Sequence, residues 1–216
     1  MAYDHAEQEQ LASIKSWWNQ YGNLVTWLLI IVLGSYAAWA GWGAYQNKQA
    51  NQAAQLYEEL QKALTAQDKE QVQRVAADME GKFPGTAYAQ MTALAAAKSA
   101  FDAHDFKTAK MQLQWVIDKG VGDDYKALAS VRLAGILLDE KAYDEGMKLL
   151  SASFPAQFAG VVEDRKGDIL VAQNKLDEAR TAYQTALEKI DANNPGRQLI
   201  QIKLDAIGGS AAEKAA

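Results

Sequence analysis

The stretch from Ala97 to Leu113, AKSAFDAHDFKTAKMQL, decides the fold, because its pattern recurs. Ala97 is followed twelve positions later by a second small residue, Ala109; an apolar residue, Phe106, lies three before that second one and a large apolar one, Leu113, four after it. Residues 134–150, AGILLDEKAYDEGMKLL, repeat the spacing with Ala134, Tyr143, Gly146 and Leu150, and residues 167–183, GDILVAQNKLDEARTAY, repeat it with Gly167, Leu176, Ala179 and Tyr183. The closing small residues are 37 and 33 apart. Two antiparallel helices can approach closely only where small side chains face one another, while large residues fill the space between successive hairpins. The pattern therefore predicts stacked helical hairpins, with DFKTA (105–109), AYDEG (142–146) and KLDEA (175–179) as their turns. A weaker unit precedes them, with Leu60 and Val72 in the corresponding places.

From Gln46 onward there is no sustained alternation of period two, and Ala, Leu, Gln, Lys and Glu dominate, so this part reads as helix throughout. Clusters of turn formers break it at 81–85, 120–124, 154–155 and 193–196. The units resemble the tetratricopeptide repeat, a helix–turn–helix of about 34 residues. The large aromatic expected early in each unit is missing, so the resemblance rests on spacing. The expected fold is all-α: a single N-terminal transmembrane helix followed by a tetratricopeptide-like α-solenoid of about 3–4 helical hairpins.

The transmembrane helix is read from 32 consecutive residues between Lys15 and Lys48 that include no Asp, Glu, Lys or Arg. Their centre, residues 24–45, is LVTWLLIIVLGSYAAWAGWGAY, roughly 33 Å as a helix against a hydrocarbon core of about 30 Å. Trp17, Trp18 and Tyr21 on one side and Trp42 and Tyr45 on the other form the aromatic belts expected at a membrane surface and would touch lipid. A secretory signal begins with a short positive region, whereas here 23 mostly polar residues with Asp4, Glu7 and Glu9 precede the apolar run, so an uncleaved anchor is expected. Gly34, Ala38 and Gly41 offer small-residue spacings that would let another transmembrane helix approach. Lys15 and Lys48 balance across the span, so charge alone leaves its direction open. The expected division is 1–23 as an amino-terminal segment, 24–45 as the span, 46–207 as the repeat domain and 208–216 as a disordered tail.

The whole chain has 22 Lys+Arg against 27 Asp+Glu and no cysteine. A disulfide framework, a thiol nucleophile and a cysteine-rich zinc site are excluded, and a chain of net charge −5 without a basic block does not suit nucleic acid. Its two histidines, His5 and His104, stand 99 residues apart, and His104 reads as an exposed turn residue. With no phosphate loop, paired-histidine zinc helix or nucleophile elbow, no enzyme, cofactor or metal is expected.

An anchored solenoid binds through its concave face, which the first helix of each hairpin lines. The repeat register puts Met91, Leu94, Lys98, Phe101, Leu128, Val131, Asp139 and Val161 there, a largely apolar set suited to a hydrophobic segment or a partner helix. The alternative is that the last helix, 198–207, folds into this groove and makes it core.

EQEQL (7–11), Ile14-Lys15-x-Trp17-Trp18, Tyr21-Gly22-Asn23, Gly41-Trp42, Tyr45-Gln46 and the closing Ile202-Lys203-Leu204-Asp205-Ala206-Ile207 resemble the YfgM family. The resemblance covers essentially the whole chain, and the amino-terminal run is its most specific part. It implies an ancillary subunit of the SecYEG translocon: a type II bacterial inner-membrane protein with residues 1–23 in the cytoplasm and a periplasmic tetratricopeptide-like domain. It further implies association with the membrane-anchored periplasmic chaperone PpiD and help in passing exported client proteins to periplasmic chaperones. The second expectation is a scaffold of another envelope complex, in division or outer-membrane assembly.

Overall fold

The computed structural model describes residues 2–209, with side chains from Leu11 onward; the tail expected to be disordered falls outside the described residues from 210 on. Contacts divide the chain into two units, 1–49 and 50–216. The first unit is helix alone. It belongs to α1 (Ala2–Thr65), which continues without a break through both ends of the apolar run. From Leu24 to Tyr45 every side chain but the half-covered Val25 is exposed, and this helix is long and apolar enough to cross a membrane. Trp17 packs on Tyr21 with ring centroids 5.8 Å apart, and Trp42 on Tyr45 at 5.9 Å. Among the described residues, nothing lies within 4 Å of the space a Cβ would occupy on Gly34 or Gly41.

The second unit runs from Ala50, still in α1, through α2 (Lys69–Lys82), α3 (Ala87–Asp102), α4 (Phe106–Lys119), α5 (Asp123–Asp139), α6 (Tyr143–Leu149), α7 (Ala159–Ala172), α8 (Leu176–Lys189) and α9 (Gly196–Ala206). No strand occurs among the described residues. The breaks expected from the turn-forming clusters fall between α2 and α3, α4 and α5, α6 and α7, and α8 and α9. The helices pair as four hairpins, the last sixteen residues of α1 with α2, α3 with α4, α5 with α6 and α7 with α8, and α9 follows as a single closing helix.

One backbone device, used four times, makes the hairpin turns. Gln67, His104, Lys141 and Asn174 all adopt left-handed backbone, with φ between 55° and 62°. The amide of the next residue then reaches five residues back, from Asp68 to the carbonyl of Ala63, Asp105 to Ala100, Ala142 to Leu137 and Lys175 to Leu170, at 2.8–3.0 Å. This is the Schellman closure of a helix end, usually built on glycine. In the first two hairpins an aspartate then starts the second helix: Asp68 accepts from the amide of Gln71 at 2.9 Å and Asp105 from that of Thr108 at 3.1 Å. The third hairpin departs from the expected length, since α6 ends after seven residues and a 3-10 turn, Ala156–Phe158, follows Pro155 before α7 begins.

The repeat positions pack as their sizes require. Ala97, Ala109, Ala134, Gly146, Gly167 and Ala179 are all buried, and so are the large residues Leu113, Leu150 and Tyr183. A Cβ built on Gly146 would stand 3.8 Å from the carbonyl oxygen of Ala134, so the backbones of α5 and α6 pass at their small residues. A Cβ on Gly167 would fall within the ring of Tyr183. Leu60 and Val72, the anchors of the weaker first unit, are 0% and 1% exposed, which makes that unit a full hairpin. The core clusters each span neighbouring helices: Leu60, Val75 and Ala96 join α1, α2 and α3; Leu94, Leu113 and Leu133 join α3, α4 and α5; Val131, Leu150 and Ile169 join α5, α6 and α7; Leu170, Tyr183 and Leu204 join α7, α8 and α9.

Two substitutions of opposite sign probe this packing in thermal unfolding of the full chain followed by circular dichroism. Gly167→Ala forces the Tyr183 ring to move and lowers stability by about 1–3 kcal/mol. Lys141→Gly relieves a left-handed conformation that costs an L-residue roughly 1–2 kcal/mol, against about 0.5–1 kcal/mol of added chain entropy, and raises the unfolding midpoint.

Candidate functional site

A groove of about 450 Å³ opens between the first helices of three successive hairpins, α3, α5 and α7. Its floor is apolar, made by Ala97 of α3, Leu113 of α4 and Ile136 of α5, and Phe101 forms one wall. Phe101 is 40% exposed, although its ring meets that of Phe106 edge-on at 5.5 Å. An aromatic held in place yet open to water is available for contact.

The charged residues of the groove follow the repeat. Arg132 and Arg165 are 33 residues apart and each stands two places before its unit's small residue, Ala134 or Gly167. Asp102 and Asp139 each stand five places after theirs, Ala97 or Ala134. The arginines thus lie at the middles of α5 and α7, and the aspartates at the ends of α3 and α5. Lys98 is neutralised by Asp102 at 2.6 Å in an exposed pair. Arg165 lies flat over Gly135, its Cζ 3.5 Å from where a Cβ would be, and its Nη1 donates to Asp168 at 3.2 Å. Its Nε is buried without a partner among the described residues. Arg132 makes no hydrogen bond or ion pair among the described residues, and the groove walls desolvate its guanidinium enough to lower its pKa while leaving it charged.

Asp168 ties this groove to the closing helix. Besides Arg165 it accepts the Tyr183 hydroxyl at 2.9 Å and Lys203 Nζ at 2.8 Å, and Lys203 also donates to Asp164 at 2.8 Å. Burial, then the neighbouring Asp168 carboxylate, pushes the Tyr183 phenol far up, so it donates at every physiological pH. Burial also raises Asp164, opposed by its hydrogen bond from Lys203. Two further tethers hold α9: Arg180 Nε donates to the carbonyl of Ile207 at 2.8 Å, and Arg197 donates to that of Leu187. Ile200 and Leu204 bury against the last hairpin. The closing helix therefore caps α7 and α8, and residues 198–207 do not line the groove.

Of the seven residues expected to form the binding face besides Asp139, Lys98 and Phe101 line the groove. Leu94 and Val131 are buried in the core, Leu128 and Val161 are partly buried against it, and Met91 is half-exposed. Asp139 also lines the groove. Apolar periodicity does not select Arg132, Gly135 or Arg165 as lining residues of the groove, and Ile136 enters it only as buried floor. A signal for the arginines is present in the repeat itself, as a charge kept at one register position in consecutive units. Among the described residues no group of three or more His, Asp or Glu side chains is placed to hold a metal ion.

The family model described as a tetratricopeptide repeat-like domain matches residues 15–209. The chain is 32% identical over 211 residues to the Ancillary SecYEG translocon subunit of Neisseria gonorrhoeae, covering 96% of this chain and 100% of that relative. It is 25% identical to the protein of that name in Aggregatibacter actinomycetemcomitans, over 95% of this chain and 99% of the relative. It is 24% identical to the one in Escherichia coli, over 92% and 95%.

Removing Lys203 takes away one of the ties between the cap and α7. With Lys203→Met, Asp164 and Asp168 face each other with Arg165 as the remaining cation, and stability at pH 7 falls by about 2–4 kcal/mol. Burial already raises Asp164, and without the opposing hydrogen bond from Lys203 its folded value rises further above the unfolded one, so its share of the loss is full above the folded value and disappears as pH falls below the unfolded one. Unfolding midpoints of wild type and variant at about pH 3, below the ordinary Asp value, and at about pH 7.5 measure the convergence.

Proposed function

The chain belongs to the family of ancillary SecYEG translocon subunits, the YfgM family, and from that premise we propose that it is an inner-membrane scaffold that binds the translocon and hands newly exported proteins to periplasmic chaperones, PpiD among them. The observation that carries the reading is the end-to-end match with a relative of that name. Residues 24–45 anchor the chain, 1–23 lie in the cytoplasm and 46–207 form the periplasmic domain. The aromatic pairs of Trp17 with Tyr21 and Trp42 with Tyr45 mark the two membrane surfaces. The bare face at Gly34, Ala38 and Gly41 receives a helix of the translocon, where the lack of side-chain bulk allows close approach. Met91, Leu94, Leu128, Val131 and Val161 shape and support the solenoid face, and Lys98 and Phe101 present it to partners.

The proposed mechanism is tethering and not catalysis. A binding site held beside the translocon exit meets the emerging chain at an effective concentration that can reach the millimolar range, so modest affinity suffices.

A photocrosslinking residue at Trp39 captures a translocon subunit in intact cells, and one at Phe101 captures a periplasmic chaperone or an exported protein. If neither position yields its adduct, the scaffold reading fails. Orientation is tested separately, and the lack of native cysteine makes the labelling clean. A membrane-impermeant maleimide added to cells with a permeabilised outer membrane labels Lys175→Cys at once and Ala12→Cys only after lysis; the reverse order inverts the topology.

A further inference from the structure

We infer that the groove between α3, α5 and α7 receives a partner segment in which an acidic side chain stands beside a bulky apolar one, the carboxylate binding Arg132 and Arg165 and the apolar group resting on Phe101 and Ile136. This deepens the scaffold reading and rests on it for the claim that partners use this face.

Unmet chemistry singles out Arg132. Lys98 has Asp102, and Lys203 has Asp164 and Asp168. Among the described residues Arg132 alone of the groove's cations has no carboxylate, although it projects into a site with an apolar floor. A guanidinium in partly dry surroundings gains more from a carboxylate than one in open water, and its planar fork takes both oxygens. Arg165 adds a second guanidinium on the same groove, seated on Gly135 and aimed by Asp168, so it is ordered before a ligand arrives. The open ring of Phe101 next to Ile136 supplies the apolar half. A basic segment fits less well. Among the described residues Asp139 is the one groove carboxylate left without an ion pair, and it sits at the far end of α5, seven residues or about 10 Å along the helix from Arg132.

The test uses the full chain in lipid nanodiscs and a display library of random twelve-residue peptides fused inside a coat protein, so that no free carboxyl terminus is offered. Binders are selected on wild type and counter-selected on Arg132→Gln, a variant that leaves the fold intact because Arg132 is exposed and bonds to nothing among the described residues. The expected winners carry Asp or Glu within one helical turn of Leu, Ile, Phe or Trp. The best of them, made as a synthetic peptide with blocked ends, loses at least tenfold in affinity when its acid becomes the amide. It also loses affinity toward Arg132→Gln, and because both changes break one contact, the two together cost less than the sum of their separate effects, the remainder being the contact with Arg165. The inference is overturned if no peptide prefers wild type, if the winners lack an acid, or if amide and acid peptides bind alike. None of these readouts involves the translocon, so a failure here leaves the crosslinking result to stand or fall alone.

Discussion

Everything in the repeat domain follows from how closely two helices of one hairpin can approach. Helices pack at about 8–10 Å according to the side chains between them, and here Ala97, Ala109, Ala134, Gly146, Gly167 and Ala179, none with a side chain longer than a methyl group, are all buried, Gly146 beside the backbone of Ala134 and Gly167 beneath the Tyr183 ring. Such a contact buries little area and has little stabilising power of its own. Its effect is geometric: it fixes where along each helix the crossing falls, and so sends Leu113 and Leu150 into the seams between hairpins, while Tyr183 lies over Gly167 of its own hairpin and clusters with Leu204 of the closing helix. The groove is a product of the same register, because residues a fixed number of places from each crossing return to the same face one hairpin later.

That periodicity explains why the charges of the groove are ordered and not scattered. Arg132 and Arg165 share one register position, while Lys98, Gly135 and Asp168 share another, one residue after the small one. At this second position the three hairpins do different work: a surface ion pair with Asp102, an empty place on which Arg165 lies, and the carboxylate that gathers Tyr183, Arg165 and Lys203. The groove and the cap are thereby linked through a single aspartate. A change in how α9 is held is felt by Arg165 without passing through the apolar core.

The four hairpins were legible in the sequence because spacing of small and large residues is a direct image of packing. The anchor was legible because moving a charge into hydrocarbon is costly, and a run of 32 residues without one is the mark that cost leaves on a chain. Two features were not legible. The turn conformation at Gln67 and Lys141 is carried by residues that do not favour it, so composition gave no hint there, whereas His104 and Asn174 are of types enriched in left-handed backbone. The binding face was expected as an apolar stripe, yet in α3 and α5 the apolar residues Leu94 and Val131 are drawn into the seams between hairpins. The open positions are the ones that carry charge or nothing at all, Arg132 and Gly135 among them. Apolar periodicity finds the core of a solenoid more readily than its binding surface.

The brevity of α6 has a consequence for how the molecule comes apart. In an array whose units touch only their neighbours, total stability is a sum of local terms, and cooperativity passes along the chain no better than its weakest joint allows. With seven residues where the corresponding helices of the other hairpins have fourteen, α6 halves one such joint. Within the one compact unit of residues 50–216, α2 to α5 and α7 to α9 are therefore coupled chiefly through direct packing of α5 on α7. The groove lies across that coupling, so a bound segment would act as a splint, fastening the two halves of the array to each other.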